Sequence, residues 1–240
     1  MMNKKNDFVT KEIFIPYEND FIPKKQFIAY LDILGYEQLI KEDGGAIKIA
    51  KKIDANIKGI ILSQSIFGEK EMKFNIKVFS DNFIICSETR GDIVFILANI
   101  LQINLATDGI FINGSICYGT LLFNDNFICG QGIIDAYKIQ SEIAIFPRII
   151  VDDSFILKAR NTWQGKIKRD FDGYAFVDYL RTIMGLEMEV IEFLSIHSYQ
   201  IDMNIMFHAL NPRVLQKYQW CKNYHNEFCK QYGYENYIIE

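Results

Sequence analysis

The order of strand-like and helix-like segments is the feature that most limits how this chain of 240 residues can fold. Residues 26–34, QFIAYLDIL, form a mostly apolar run that predicts a central strand. Gly35 permits a sharp turn directly after it. Apolar residues at helical spacing over 37–66 then predict two short helices, broken near 43–45, where an aspartate and two glycines follow one another.

A β-hairpin is predicted next. The segment KFNIKVFSDNFIICSE alternates apolar and polar residues up to Phe79, breaks over 80–82 and resumes as a strand, which places Asp81 at the hairpin tip. An apolar-rich helix over 91–107 and a strand over 110–118 are expected to follow.

The remaining core segments complete a recognisable order. LLFNDNFICG is expected to pair back through a turn at 124–126, before a helix over 132–144 and a short strand in FPRIIVDD. The order is βαββαβ with an added strand, which predicts an α+β fold with a ferredoxin-like core. The pattern becomes helical from about residue 186 and predicts a C-terminal helical hairpin. We therefore expect an N-terminal extension over 1–25, a core domain over 26–185 and a helical extension over 186–240.

Composition excludes some partners. The net charge is −4 and the lysines and acids are interspersed, so no basic face for nucleic acid is expected. No apolar run reaches the roughly 18 residues that a membrane span requires. The polar N-terminus, MMNKKNDFVTKE, lacks the apolar core of a signal peptide. A cytoplasmic protein is the expectation.

Two acids stand out in apolar surroundings. Asp32 and Asp81 are both predicted at the ends of central strands, so their carboxylates can converge on one spot. Paired carboxylates suit Mg²⁺ or Mn²⁺, which prefer oxygen ligands and accept a triphosphate as co-ligand. The alternative is local: Asp32 could cap a turn and Asp81 could form an Asx-turn.

Four segments together resemble a known enzyme family. FIAYLDILGYEQL, IKVFSDNFII, INGSICYGTL and GQGIIDAYKIQSEIAIFPRIIVDD are similar, in this order, to the catalytic core of class III adenylate and guanylate cyclases. The nearest subset is the pyrimidine cyclases of bacterial antiphage Pycsar systems. The resemblance covers roughly residues 26–152 and 193–229. The second range includes the late segment KYQWCKNYHNEFC.

This resemblance implies a two-metal site. Asp32 and Asp81 would bind two Mg²⁺ or Mn²⁺ ions, with the backbone carbonyl of Ile33 as a further ligand. One ion would lower the pKa of the ribose 3′-hydroxyl, and the other would hold the triphosphate as pyrophosphate leaves. The turn over 34–36 would bring backbone N–H groups to the phosphates.

The resemblance also implies substrate contacts, with two departures. Lys77 and Gln131 match the positions of base-reading residues. Lys138 stands where the family has its transition-state arginine, and Ile134 stands where it has an asparagine. Lysine supplies charge without the bidentate fork of arginine, and isoleucine cannot replace an amide that orients the ribose.

Larger side chains should narrow the pocket around a pyrimidine, and Tyr36, Gln131 and Tyr137 are the candidates. Lys77 would then donate to the base carbonyl O2 or O4, which favours UTP over CTP. Arg148 could reach phosphate, or could simply extend its head group from a strand end.

The resemblance implies a head-to-tail homodimer that makes cUMP or cCMP as an alarm signal for a downstream effector. Two alternatives stay open: a purine cyclase, and a degenerate cyclase fold that only binds nucleotide. The pair Asp32 and Asp81 speaks against the degenerate fold, whereas Ile134 speaks for it.

Overall fold

The structure is a computed structural model that describes residues 22–67, 73–124, 126–159, 165–185 and 189–240, with only the backbone over 63–67. Most of the expected N-terminal extension lies outside the described residues, as does residue 125 of the expected turn at 124–126.

Eight strands and eight α-helices make up the described fold. The strands are β1 Lys24–Ile33, β2 Asn75–Phe79, β3 Asn82–Ser87, β4 Ile112–Phe123, β5 Ile128–Cys129, β6 Ile149–Val151, β7 Ile167–Arg169 and β8 Ala175–Val177. The helices are α1 Tyr36–Lys41, α2 Gly45–Phe67, α3 Gly91–Thr107, α4 Gln131–Lys138, α5 Asp153–Lys158, α6 Tyr179–Ile183, α7 Val190–Phe207 and α8 Pro212–Tyr232. A π-helical turn, Ile139–Ile143, follows α4, and a 3₁₀ turn, Glu235–Tyr237, follows α8.

The sheet has the strand order β2-β3-β1-β4-β6-β8-β7, and β5 pairs with the end of β4. The first four strands pair antiparallel throughout, which is the arrangement of a ferredoxin-like βαββαβ core. β6 extends this core in parallel to β4, and β8 and β7 continue it antiparallel. The predicted α+β fold is confirmed.

The two faces of the sheet are covered differently. Phe27, Leu31 and Ile33 of β1 belong to the main hydrophobic cluster, to which α3 also contributes. Ile28, on the opposite face of the strand, belongs to a smaller cluster with Ala136 of α4. Successive residues of a strand alternate between faces, so Asp32 has the orientation of Ile28 and lies on the α4 side.

Several predicted boundaries were wrong. The second helix is long, with 23 residues in α2, because the chain recovers helical geometry directly after Gly44 at φ 69°. β4 runs unbroken for 12 residues, and its return strand, β5, has only 2. The helix predicted over 132–144 ends as α-helix at Lys138 and continues as the π-helical turn.

The predicted C-terminal helical hairpin is present as α7 and α8. Asn211 caps α8 by accepting from the backbone N–H of Val214, Pro212 occupies the first turn, and Gly233 ends the helix at φ 79°. Phe193 and Tyr218 from these helices join the main hydrophobic cluster of the core. A domain division near residue 186 remains a prediction. No helix in the described part of the chain is both long and apolar enough to cross a membrane.

Candidate active site

Asp32 and Asp81 are held together by the backbone. The hairpin between β2 and β3 has a two-residue turn, Ser80 and Asp81, which lies beside the end of β1 because Asp32 pairs with Asn82. The backbone N–H of Ile33 donates to the carbonyl oxygen of Asp81 at 2.9 Å. The hairpin tip and the strand end are thus joined by a hydrogen bond outside the regular ladder.

The electrostatics of this pair are unfavourable without a cation. The pKa of the Asp32 carboxyl is raised to about 6, first by burial, then by the charge of Asp81, and also by a hydrogen bond between the two carboxyl groups. The positive charge of Lys217, on α8, acts in the opposite direction. Two carboxylates in one partly buried place disfavour the ionised form of Asp32.

A purely local role for Asp32 does not fit the geometry. The N-cap of α1 is Gly35, at φ 70°, and no side chain caps this helix. The side chain of Asp81 accepts a hydrogen bond from the side-chain amide of Asn82, Nδ2, at 3.0 Å. Within the part of the chain that the structure describes, Asp32 therefore lies beside a second acid without the backbone donors that would explain a capping aspartate.

The donor set suits a metal that brings other ligands with it. Within the described ranges, no group of three or more His, Cys, Asp or Glu side chains could hold a metal ion. Two carboxylates are enough for Mg²⁺ or Mn²⁺, since these ions keep several waters and take substrate phosphates as ligands. The partly buried pair fits such an ion, because a cation would relieve the repulsion that raises the Asp32 pKa.

Two tyrosines connect the pair to α4. The rings of Tyr30 and Tyr137 meet edge to face at 5.9 Å between centroids. The pKa of Tyr30 is raised to about 12 by burial, and further by the charges of Asp32, Tyr137 and Asp81. Tyr137, which was predicted to contact substrate, therefore lies beside the two acids, with 54% of its surface exposed. Tyr30 was missed by sequence reasoning, although it is two residues before Asp32 in β1 and its side chain therefore lies on the same face of the sheet.

The other predicted substrate residues are more dispersed. Lys77 donates to the carbonyl of Asn124 at 3.1 Å and lies over the Phe123 ring, so its ammonium is already engaged at the end of β4. Gln131 begins α4 and donates to Asp135 at 2.8 Å. Lys138 ends α4 and is exposed.

The remaining predicted substrate-site positions lie on α4 and at the start of α1. Ile134, at the family's asparagine position, is 48% exposed on α4. Tyr36 begins α1 and packs partly against the main cluster, so only part of its ring could face a ligand.

Arg148 does not fit its predicted phosphate role. Its side chain is fully buried and forms ion pairs with Asp170 and Asp172. Asp170 also accepts a hydrogen bond from the Trp220 indole at 2.8 Å. The guanidinium thus joins β6 to the β7–β8 turn and to α8. No local sequence pattern indicates this pairing, because the partners lie 22 and 24 residues away within residues 153–185, for which no element was predicted.

Comparisons with known proteins are limited to structure. No known protein family matches the chain, and no curated protein matches it. The adenylyl cyclase CyaB from P. aeruginosa aligns with 65% of this chain and 95% of its own, at 15% identity and a TM-score of 0.44. The guanylyl cyclase Cya2 aligns with 65% of this chain and 91% of its own, at 10% identity and a TM-score of 0.43.

A bacterial light-regulated adenylyl cyclase aligns with 75% of this chain and 57% of its own, at 10% identity and a TM-score of 0.48. Identities and scores at this level assign no activity, so a function has to be argued from the residues of this chain.

Proposed function

We propose that this protein is a nucleotide cyclase that converts a pyrimidine nucleoside triphosphate into its 3′,5′-cyclic monophosphate and pyrophosphate. The observation that carries the proposal is the pair Asp32 and Asp81, fixed by the hydrogen bond from Ile33 to the Asp81 carbonyl. A second acid so close to a partly buried acid is costly unless a cation binds there.

The chemistry asked of these residues is positioning and charge neutralisation. Asp32 and Asp81, with the Ile33 carbonyl, would hold Mg²⁺ or Mn²⁺. A divalent ion bound there supplies the positive charge that makes the ribose 3′-hydroxyl acidic and neutralises the triphosphate. The 3′-oxygen would lose its proton to water and bond to the α-phosphorus, and the bond from that phosphorus to the pyrophosphate oxygen would break.

The proposal includes a homodimer with two equivalent sites. The sheet face that carries Asp32 is covered within the chain by α4, and large apolar side chains stay exposed around it. Phe79 is 78% exposed at the hairpin, and Ile134 is 48% exposed on α4. A symmetric partner would cover such a surface. Light scattering of an active preparation tests this, and a monomer at high micromolar concentration would contradict it.

The preference for a pyrimidine is the finer part of the proposal. Tyr137 lies against Tyr30 beside the acids, which leaves less room for a base than a small side chain would. The order UTP over CTP rests on Lys77, whose ammonium has three donors and would bind a base carbonyl in addition to the Asn124 carbonyl. A mismatched polar contact in a buried pocket costs about 1–3 kcal/mol, or ten- to a hundredfold in selectivity. Signalling to an effector in antiphage defence is part of the same proposal.

The experiment that tests the class of enzyme is metal-dependent release of pyrophosphate. Wild-type protein is incubated with ATP, GTP, CTP or UTP separately, with and without Mn²⁺. Release only from UTP or CTP supports the pyrimidine cyclase. Release from ATP or GTP alone would establish the purine alternative, which the site geometry fits equally well. Nucleotide binding without pyrophosphate release from any of the four would favour the degenerate fold. This alternative is considered because Ile134 and Lys138 stand where the family has its asparagine and arginine.

A further inference from the structure

A lysine on the C-terminal helical hairpin lies within electrostatic reach of Asp32. Lys217 is on α8, and its charge and that of Asp32 influence each other. Lys217 begins the late segment KYQWCKNYHNEFC, but no role was predicted for it, because 185 residues separate it from Asp32. Two contacts explain how α8 comes to this place.

The first contact joins the end of β1 to the residue before β4. The backbone N–H of Leu34 donates to the carbonyl of Phe111 at 2.9 Å. The second joins Phe111 to α8, since its ring meets the Tyr218 ring edge to face at 5.5 Å. The other side of Tyr218 stacks on His208 at 5.4 Å. Because Lys217 directly precedes Tyr218 in α8, these packed groups place its part of the helix near the end of β1.

The environment of Lys217 is unusual for a lysine. The side chain is half-buried, and among the described residues its ammonium makes no hydrogen bond or ion pair within contact distance. Arg213 lies one turn earlier on the same helix and adds a second positive charge, which opposes that of Lys217. A cation that is partly desolvated, unpaired and next to another cation is costly to the fold.

We infer that Lys217 is a catalytic residue that binds the triphosphate of the nucleotide held by Asp32 and Asp81 of the same chain. A lysine ammonium is a compact charge with three donors and suits phosphate oxygens. The anion of the substrate would supply the partner that the protein does not provide. The C-terminal hairpin would then belong to the active site as well as to the core, and Arg213 would raise the positive potential at its entrance.

This inference rests on the proposed function, and its test has a readout that needs no turnover. Binding of inorganic tripolyphosphate with Mn²⁺ is measured by calorimetry for wild type, Lys217→Met and Lys217→Arg. Lys230→Met is the matched control, since Lys230 is an exposed lysine in the last turn of the same helix. Lys217→Met should bind roughly ten- to a hundredfold more weakly, as expected for loss of a charge-assisted contact. Lys217→Arg should retain most of the affinity, and Lys230→Met should bind like wild type.

Stability separates this role from a structural one. Removing a half-buried, unpaired ammonium should leave the melting temperature of Lys217→Met equal to or above that of wild type. A structural lysine would give a lower melting temperature and unchanged affinity.

The outcomes also separate this inference from the cyclase proposal. Unchanged tripolyphosphate affinity in folded Lys217→Met, or no binding by wild type, overturns the inference even if a nucleoside triphosphate is cyclised. If Lys217→Met loses affinity and wild type cyclises none of the four nucleotides, the anion site is supported and the cyclase proposal is contradicted.

Discussion

The backbone N–H of Ile33 donates a hydrogen bond to the carbonyl of Asp81 at 2.9 Å and so fixes the hairpin tip against the end of β1. This bond sets the relative position of the Asp32 and Asp81 carboxyl groups.

The first prediction concerns the repulsion between the acids. The pKa of Asp32 is raised to about 6 in the fold. The stability that protonated Asp32 contributes is therefore fully present below the ordinary carboxyl pKa and is lost as the pH rises through about 6. Metal-free Asp32→Asn should therefore melt at a higher temperature than wild type at pH 7.5. Mn²⁺ should stabilise wild type but not Asp32→Asn, as measured by thermal denaturation with and without the ion. Equal stabilisation of both proteins would show that the ion does not bind at Asp32.

The second prediction concerns strain in the turn that carries Asp81. Ser80 has φ 56°, the only positive value at a non-glycine position among the described residues. A two-residue hairpin turn with positive φ at its first position favours glycine there. Ser80→Gly should raise the free energy of unfolding by about 0.5–1 kcal/mol, measured by denaturant titration. Ser80→Ala, which keeps the strain, should not, and a gain in both variants would refute the explanation.

The third prediction starts from a buried histidine pair. Nδ1 of His197 lies 2.9 Å from Nδ1 of His225, and Nε2 of His225 lies 2.8 Å from the carbonyl of Tyr237. A carbonyl only accepts, so His225 carries its proton on Nε2 and accepts at Nδ1 from His197. Nε2 of His197 then accepts from the Tyr179 hydroxyl at 2.8 Å. Both rings are neutral in this arrangement.

Burial lowers the pKa of both rings, with the neighbouring His225 adding to the effect on His197, whereas the Tyr237 carbonyl and Asp202 oppose it for His225. The thiol of Cys229 also faces His225, at 3.4 Å. The stability that the neutral pair contributes is fully present above the ordinary histidine pKa of about 6.5 and is lost as the pH falls below it.

The free energy of unfolding should therefore fall between pH 6 and 5, by up to about 1.4 kcal/mol per pH unit for each ring that stays neutral in the fold. Denaturant titrations across this range measure the slope, and His197→Gln, which removes the more strongly shifted ring, should reduce it. A slope that is the same in His197→Gln and wild type would show that other groups cause it.

The fourth prediction compares two ion pairs on the added strands. Arg148→Met leaves Asp170 and Asp172 without their buried cation and should cost about 3–5 kcal/mol of stability. Lys168→Met removes a more exposed pair with Glu227 and should cost less than about 1 kcal/mol. Denaturant titration compares the two. Similar small losses would mean that Arg148 is not a structural ion-pair partner.

The core could be predicted from sequence because its signals are local and long. The apolar run around Asp32 and the break at 80–82 are each visible within one segment, and antiparallel pairing then brings Asp81 to the end of β1. The strands β7 and β8 have 3 residues each, which is too short to show the apolar–polar alternation of a strand. Only Asp172 and Gly173 indicate the turn between them.

Other features depend on tertiary contacts that no local pattern contains. The ion pairs of Arg148 and the approach of Lys217 to Asp32 join segments far apart in the chain. The length of α2 was misjudged because the glycines at 44 and 45 suggest a break, whereas only Gly44 has a left-handed backbone.

The most direct test of the account identifies the product. Wild type, Asp32→Ala and Asp81→Ala are incubated with an equimolar mixture of the four nucleoside triphosphates and Mn²⁺, and cyclic nucleotides are identified by mass spectrometry. Circular dichroism confirms that each variant is folded. The account predicts cUMP as the main product of wild type and no cyclic product from either variant. A main product of cAMP or cGMP would contradict the pyrimidine preference, and near wild-type turnover by folded Asp32→Ala would contradict the metal site itself.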